Sequence, residues 1–251
     1  RGVFMRNYKH IFDALFREVN KIVVGQNHVV EQILAAVLCG GNALLEGYPG
    51  LAKTLAVRTL ADVMDLKFSR IQSTPDLMPS DITGTYIIEE TSGKRNFKFQ
   101  PGPIFANIVL ADEVNRATPK TQSALLEAMQ EKQVTVGTNT FKLDLPFFVL
   151  ATMNPIEQEG TYPLPEAQTD RFLLKIKVGY PSFEEEKEIV DRYADVLKEH
   201  RLKTMLNKNH LLSLQNLTRQ VPIANDIKIR ALKIITATRT NKDVIHYGAS
   251  P

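Results

Sequence analysis

The chain has 251 residues, 43% hydrophobic and 24% charged, with a formal net charge of +3. That bounds one large globular domain, or a domain with a smaller partner, with a real core in either case. The longest apolar runs, such as Ile33–Cys39, are too short to cross a bilayer, and "RGVFMRNYKH" holds no apolar stretch of signal-peptide length. The single cysteine, Cys39, excludes an internal disulfide and fits a reducing cytoplasm, and its apolar run implies inert burial. Residues 1–180 carry 19 basic and 19 acidic groups and residues 181–251 carry 12 and 9. Neither part has the electrostatic footprint of a nucleic-acid binder.

In chain order, residues 10–23 place apolar residues at helical spacing, and Asn27 is expected to cap a second helix through Leu38. "NALLE" reads as a short buried strand ending at Gly47. The loop "GYPGLAKT" follows, and "TLAVRTLADVM" then runs as a helix. Strands are expected at Ser69–Gln72, Ile108–Ala111, Phe147–Thr152 and Leu173–Val178. The Ile108 and Phe147 runs are nearly all apolar, as in strands covered on both faces. "PKTQSALLEAMQ" is a helix with Pro119 in its first turn. Alternating strands and helices imply a parallel sheet. "TYIIEETSGKRNFKF" and "VTVGTNTFKLDL" break the alternation and read as two inserted hairpins. After "GYP" the strands cease. Helices are expected at Phe183–Lys198, His210–Arg219 and Ala224–Thr240, with a domain boundary close to Pro181. "FEEEKEIVDRY" within the first of them is a solvated helix face.

The chemistry concentrates in four places. In "GYPGLAKT", between a strand and a helix, successive backbone N–H groups and the helix dipole can cradle phosphate. Gly47 and Gly50 supply the tight backbone, Lys53 would reach the β- and γ-phosphates, and Thr54 would place its hydroxyl on Mg²⁺. Ala52 stands where the pattern wants glycine, and its methyl is tolerated at negative φ. In "IVLADEVN", Asp112 and Glu113 end an apolar strand, where ligands of open parallel sheets bind. Asp112 would assist Mg²⁺ through water and Glu113 would polarise an attacking water; strand-end carboxylates bonded to water or to neighbouring N–H groups are the plainer alternative. Asn154 ends the "FFVLATMNP" strand, where an amide can hold a water or a γ-phosphate oxygen, although Asn-Pro is also ordinary turn chemistry. Arg171, after a short helix begun at Pro165, fits an arginine that meets transition-state charge from outside the pocket, or a surface ion pair.

Taken together, "GYPGLAKT", "VLADEVNRATPKTQSALLEAMQE", "ATMNPIEQEGTYPLPEAQTDRF" and "YGASP" resemble the AAA+ ATPases, and most closely the MoxR family, over essentially the whole chain. Alanine at the position of Ala52 is a familiar variant in that family. The resemblance implies an α/β fold: a three-layer αβα P-loop domain with a parallel sheet of order 5-1-4-3-2. It also implies two β-hairpin insertions and a helical lid. Residues 1–180 would be the nucleotide core and 181–251 the lid. In the family an arginine follows "GASP", whereas the sequence stops at Pro251, so the lid is expected to be incomplete there.

Family roles then fall on this chain's residues. The loop Gly47, Tyr48, Pro49, Gly50, Leu51, Ala52, Lys53, Thr54 and Leu55 would hold ATP, with Val24 and Gly25 of "VVGQ" along the adenine. Thr54 and Asp112 would serve Mg²⁺. Glu113 would activate water, Asn154 would be the polar sensor, and Arg171 the finger reaching a neighbouring subunit's nucleotide, with Arg116 also facing that boundary. The implied activity is Mg-dependent ATP hydrolysis by a homo-oligomer, a hexameric ring, in the cytoplasm. It would remodel or mature protein clients, with von Willebrand factor A domain partners, no nucleic acid and no membrane span. A chelatase-type motor subunit, a nucleic-acid remodeller of the same branch, and a nucleotide-dependent binding switch with little turnover stay open as alternatives.

Overall fold

A computed structural model describes residues 2–47, 53–91, 94–154, 160–194, 201–240, 245 and 248. Two helices open the chain, α1 (Gly2–Val19) and α2 (Asn27–Leu38). Next come β1 (Asn42–Gly47), α3 (Lys53–Val63), β2 (Phe68–Gln72) and the five-residue α4 (Pro79–Thr83). A first hairpin is formed by β3 (Gly84–Thr91) and β4 (Lys94–Pro101). After β5 (Ile108–Asp112), a 3₁₀ turn (Val114–Arg116) and α5 (Pro119–Glu131), β6 (Gln133–Val136) and β7 (Asn139–Lys142) make the second hairpin. The remainder is β8 (Phe148–Met153), α6 (Glu166–Thr169), β9 (Phe172–Val178), α7 (Phe183–Ala194), α8 (Lys208–Arg219) and α9 (Asn225–Thr240).

The sheet order is β2-β5-β8-β1-β9, and each pairing is parallel. Counting only the sheet strands along the chain, this is the expected 5-1-4-3-2. The three central strands are buried on both faces, and their side chains alternate between two cores. Ala43, Leu45, Ile108, Leu110, Phe148 and Leu150 point to the side covered by α1, α2 and α3. Leu44, Val109, Ala111, Val149 and Ala151 point to the side covered by α5 and β6. The edge strands carry the basic side chains of the sheet, Arg70 on β2 and Lys175 and Lys177 on β9. Leu206, Leu211 and Leu214, in and just before α8, join the first core, and Gln215 Nε2 donates to Val37 O at 2.7 Å.

Both hairpins form in the expected places and lean on each other. Phe99 of the first stacks on Phe141 of the second with ring centroids 4.1 Å apart, flanked by Tyr86 and Phe105. Gly84 starts the first hairpin at φ +95°, and a Cβ there would lie 2.3 Å from Gln100 O, so only glycine fits.

Three local expectations need correction. Asn27 is the first helical residue of α2 rather than its cap; the cap position is Gln26, which makes no side-chain capping bond. The first helix stops at Val19 instead of residue 23, because Asn20–Ile22 turn back with Lys21 and Ile22 N–H bonded to Glu18 O and Val19 O. Cys39 is exposed rather than buried: it is the C-cap of α2, one residue past the end of the apolar stripe. Among the described residues, no helix is long and apolar enough to cross a membrane.

Candidate functional site

Gly47 ends β1 at the carboxyl edge of the sheet. A Cβ at that position would sit 2.6 Å from Val178 O, so the close approach of β9 requires glycine. Tyr48, Pro49, Gly50, Leu51 and Ala52 lie outside the described residues. Lys53 opens α3, and its Nζ donates back to Gly47 O at 2.9 Å, joining the two ends of the loop. Thr54 and Leu55 follow in the first helical turn, both half-buried. No acidic residue occupies that turn, which leaves the positive end of the helix dipole uncancelled for an anion.

Burial pushes the Lys53 ammonium below the ordinary lysine value, and the carboxylates of Asp112 and Glu113 pull it part of the way back. The lysine of the loop and the acid pair of β5, about sixty residues apart in sequence, are thus electrostatic neighbours. Asp112 is the last residue of β5 and 8% exposed. Both its carboxylate oxygens are engaged. Oδ2 accepts from Arg70 Nε at 2.8 Å and Nη2 at 2.6 Å, and Oδ1 accepts from the Thr152 hydroxyl at 2.7 Å.

Glu113 lies just past the strand in a left-handed conformation, φ 52° and ψ 51°. Its N–H donates to Thr152 Oγ1 at 2.9 Å, and its carboxylate accepts from Arg116 Nη1 at 3.0 Å and Gln72 Nε2 at 3.4 Å. Asn154, 9% exposed, follows β8 two residues after Thr152. The parallel order of β5 and β8 brings these carboxyl ends together. Magnesium commonly keeps several waters and one or two protein oxygens while riding on phosphates. A hydroxyl at Thr54, a buried carboxylate at Asp112 and a partly buried lysine at the start of α3 fit that group.

Of the three remaining sequence-assigned residues, Arg171 and Gly25 have described neighbours outside this cluster. Arg171 is exposed and lines a surface cavity of about 250 Å³ with Ser123, Glu127, Gln130 and Glu131 of α5 and Gln168 of α6. Val24 and Gly25 lie in the bend between α1 and α2, and Gly25 faces α7: a Cβ on it, at φ +72°, would be 2.8 Å from Glu185 Cδ. Arg192 of α7 fixes the same bend by donating through Nη1 to Asn20 O at 2.7 Å and Lys21 O at 2.9 Å.

The residues that sequence reading passed over are Arg70, Gln72 and Thr152. Thr152 alone left a faint trace, a hydroxyl inside the otherwise apolar "FVLATM", whereas Arg70 and Gln72 read as ordinary edge-strand residues. Their partners, though, are about forty residues away in sequence.

The ATPase family associated with various cellular activities (AAA) matches residues 42–174, from the start of β1 to β9. Over 96% of its length the chain is 47% identical to Chaperone MoxR1 of Mycobacterium tuberculosis, and it spans 65% of that protein. It is also 47% identical to the uncharacterized protein YeaC of Bacillus subtilis, over 93% of this chain and 72% of the relative. The crystal structure of an inferred ATPase from Cytophaga hutchinsonii superposes with a TM-score of 0.87 at 48% identity, covering 94% of this chain and 71% of that one. Sheet order, paired hairpins, site geometry and these likenesses agree: the chain belongs to the AAA family of ATPases, in its MoxR branch.

Proposed function

We propose that this protein binds Mg·ATP between the N-terminus of α3 and the carboxyl end of β5, and hydrolyses it to remodel or mature protein clients. The observation that carries the reading is that the parallel strands β1, β5 and β8 end at one edge of the sheet, with Lys53 bonded back to Gly47 at the end of β1 and Asp112 and Glu113 at the end of β5. Lys53 would neutralise the β- and γ-phosphates, and the Gly47–Leu55 segment would enclose them with backbone N–H groups. The Thr54 hydroxyl and, through water, Asp112 would hold Mg²⁺, which would supply charge neutralisation to the phosphates. Glu113 accepts the proton of the attacking water, and Asn154 orients that water or a γ-phosphate oxygen. Val24 and Gly25 lie along the adenine.

In this reading residues 1–180 are the nucleotide core and 181–251 the lid. The protein assembles as a homo-oligomer, a hexameric ring, in the cytoplasm. Arg171, exposed beside the α5 face, reaches the neighbouring subunit's nucleotide and makes hydrolysis depend on assembly. The likeness to a protein named a chaperone supports a protein client over nucleic acid, as does the near balance of charge in residues 1–180. Partners with von Willebrand factor A domains fit the same role. Phosphate release by the full-length protein tests the reading. Glu113→Gln is expected to slow turnover about 10²- to 10⁴-fold while ATP binding persists; an unchanged rate would remove Glu113 from the reaction.

A further inference from the structure

Thr152 is 1% exposed, and its hydroxyl bonds to both acids of the site. It donates to Asp112 Oδ1 at 2.7 Å and accepts the Glu113 N–H at 2.9 Å. The parallel register of β5 with β8 ends at Ala111 opposite Ala151. The hydroxyl thus takes over where the backbone ladder stops. Glu113 has a left-handed backbone, a conformation that is unfavourable for a non-glycine residue unless its surroundings hold it. The bond to Thr152 is a direct hold on that backbone. Two residues further along the same chain stands Asn154.

We infer that Thr152 is a positioning residue for hydrolysis: a single hydroxyl sets the directions of Asp112 and Glu113 relative to the strand that carries Asn154. The inference rests on the ATPase reading above. Without the hydroxyl, Oδ1 of Asp112 loses its only buried donor described here, Arg70 alone orients the carboxylate through Oδ2, and the Glu113 N–H loses its acceptor. Both carboxylates remain in place in the sequence but lose the bond that aims them. Lys53 and Thr54 sit on α3 and do not touch Thr152 in any described hydrogen bond, so nucleotide binding without Mg²⁺ is spared, and the defect falls on the chemical step and on the Mg²⁺ response that runs through Asp112.

The test compares parent, Thr152→Val and Thr152→Ser in the full-length protein. Steady-state ATP turnover, affinity for a fluorescent ATP analogue with and without Mg²⁺, and the melting temperature are measured for each. Valine removes the hydroxyl at similar volume. It is expected to lower kcat about 10- to 100-fold, the range for residues that orient catalytic groups, with nucleotide affinity in the absence of Mg²⁺ within about twofold of parent. Serine keeps the hydroxyl and is expected to restore kcat to within about threefold. Should valine prove too unstable to assay, serine still decides: a folded Thr152→Ser with the turnover of a Glu113→Gln variant overturns the inference. So does a folded Thr152→Val whose kcat equals the parent's, or one whose loss lies in nucleotide affinity alone. A parent without any turnover would remove the ATPase reading, and this inference with it.

Discussion

Arg70 clasps Asp112 with two N–H groups on a single oxygen, Nε at 2.8 Å and Nη2 at 2.6 Å, and the same Nη2 also donates to Gln72 Oε1 at 2.7 Å. β2 and β5 run parallel with Gln72 opposite Asp112, so the guanidinium reaches along its own strand to the neighbouring strand's end. The pair compensates a nearly buried carboxylate from an edge strand that is open to solvent.

That clasp gives the first expectation. Arg70→Met leaves Asp112 with Thr152 as its described donor. An uncompensated buried carboxylate would cost several kcal/mol, but the Arg70 side chain is 47% exposed, so water screens much of the interaction. The expected loss is about 1 kcal/mol, which lowers the melting temperature by about 2–4 °C in a protein of this size. Thermal denaturation without nucleotide checks it. A melting temperature equal to the parent's would mean that the clasp contributes nothing to the fold.

Lys53 should behave in the opposite sense. Burial lowers its pKa, so the folded protein binds the proton less readily than the unfolded chain does. That penalty is fully present below the folded-state value and fades as pH rises towards the ordinary 10.5. Lys53→Met is therefore expected to melt no lower than parent at pH 7, with the parent gaining on the variant as pH climbs through the alkaline range. Melting curves of both across that range check the sign, and a variant clearly less stable at pH 7 would contradict it.

Glu18 ties α1 to the segment before α8. Its carboxylate accepts from Lys21 Nζ and from the Lys203 N–H at 2.7 Å, and these bonds, the Lys21 one foremost, hold its pKa below 4.5. A depressed carboxylate contributes stability that is present above its unfolded value and lost as pH falls through the folded one. Glu18→Gln should lower stability at pH 7 and converge with parent in acid. Denaturant titrations at neutral and acidic pH measure this, and a pH-independent difference would assign the effect to packing instead.

Arg171 separates a finger in trans from a local ion pair with the Glu127 and Glu131 side of its cavity. Arg171→Ala alone is expected to lose about 10³-fold or more in turnover, as fingers elsewhere do. Mixed with Lys53→Ala subunits, it should regain measurable hydrolysis, since an intact finger then faces an intact nucleotide loop. Absence of rescue in assemblies shown to be mixed would point to a role within one subunit.

Much of this architecture was legible in the sequence because local signals and chemistry coincided. The apolar runs at Ile108 and Phe147 had to be covered on both faces, and the loop ending in Lys53–Thr54 fell between strand and helix as phosphate loops do. What stayed hidden depends on pairings between distant segments. The five residues of α4 are too few to show a helical period, and its start is stabilised by Asp81 Oδ2 accepting the Met78 N–H at 2.8 Å. Arg70 and Thr152 reach the acid pair only because β2 and β8 flank β5, and strand order and register are not written at either residue. Cys39 was misplaced by one residue of helix: a run that looked uniformly apolar turned its last member to solvent.

The central claim is that Lys53, Thr54, Asp112 and Glu113 surround one magnesium-bound ATP. Equilibrium binding of a slowly hydrolysed ATP analogue to parent, Lys53→Ala and Asp112→Asn, with Mg²⁺ and with chelator, tests it most directly. The account expects saturable binding by parent that weakens without Mg²⁺, near-complete loss in Lys53→Ala, and a reduced response to Mg²⁺ in Asp112→Asn. Equal affinity in all three proteins, indifferent to Mg²⁺, would contradict it.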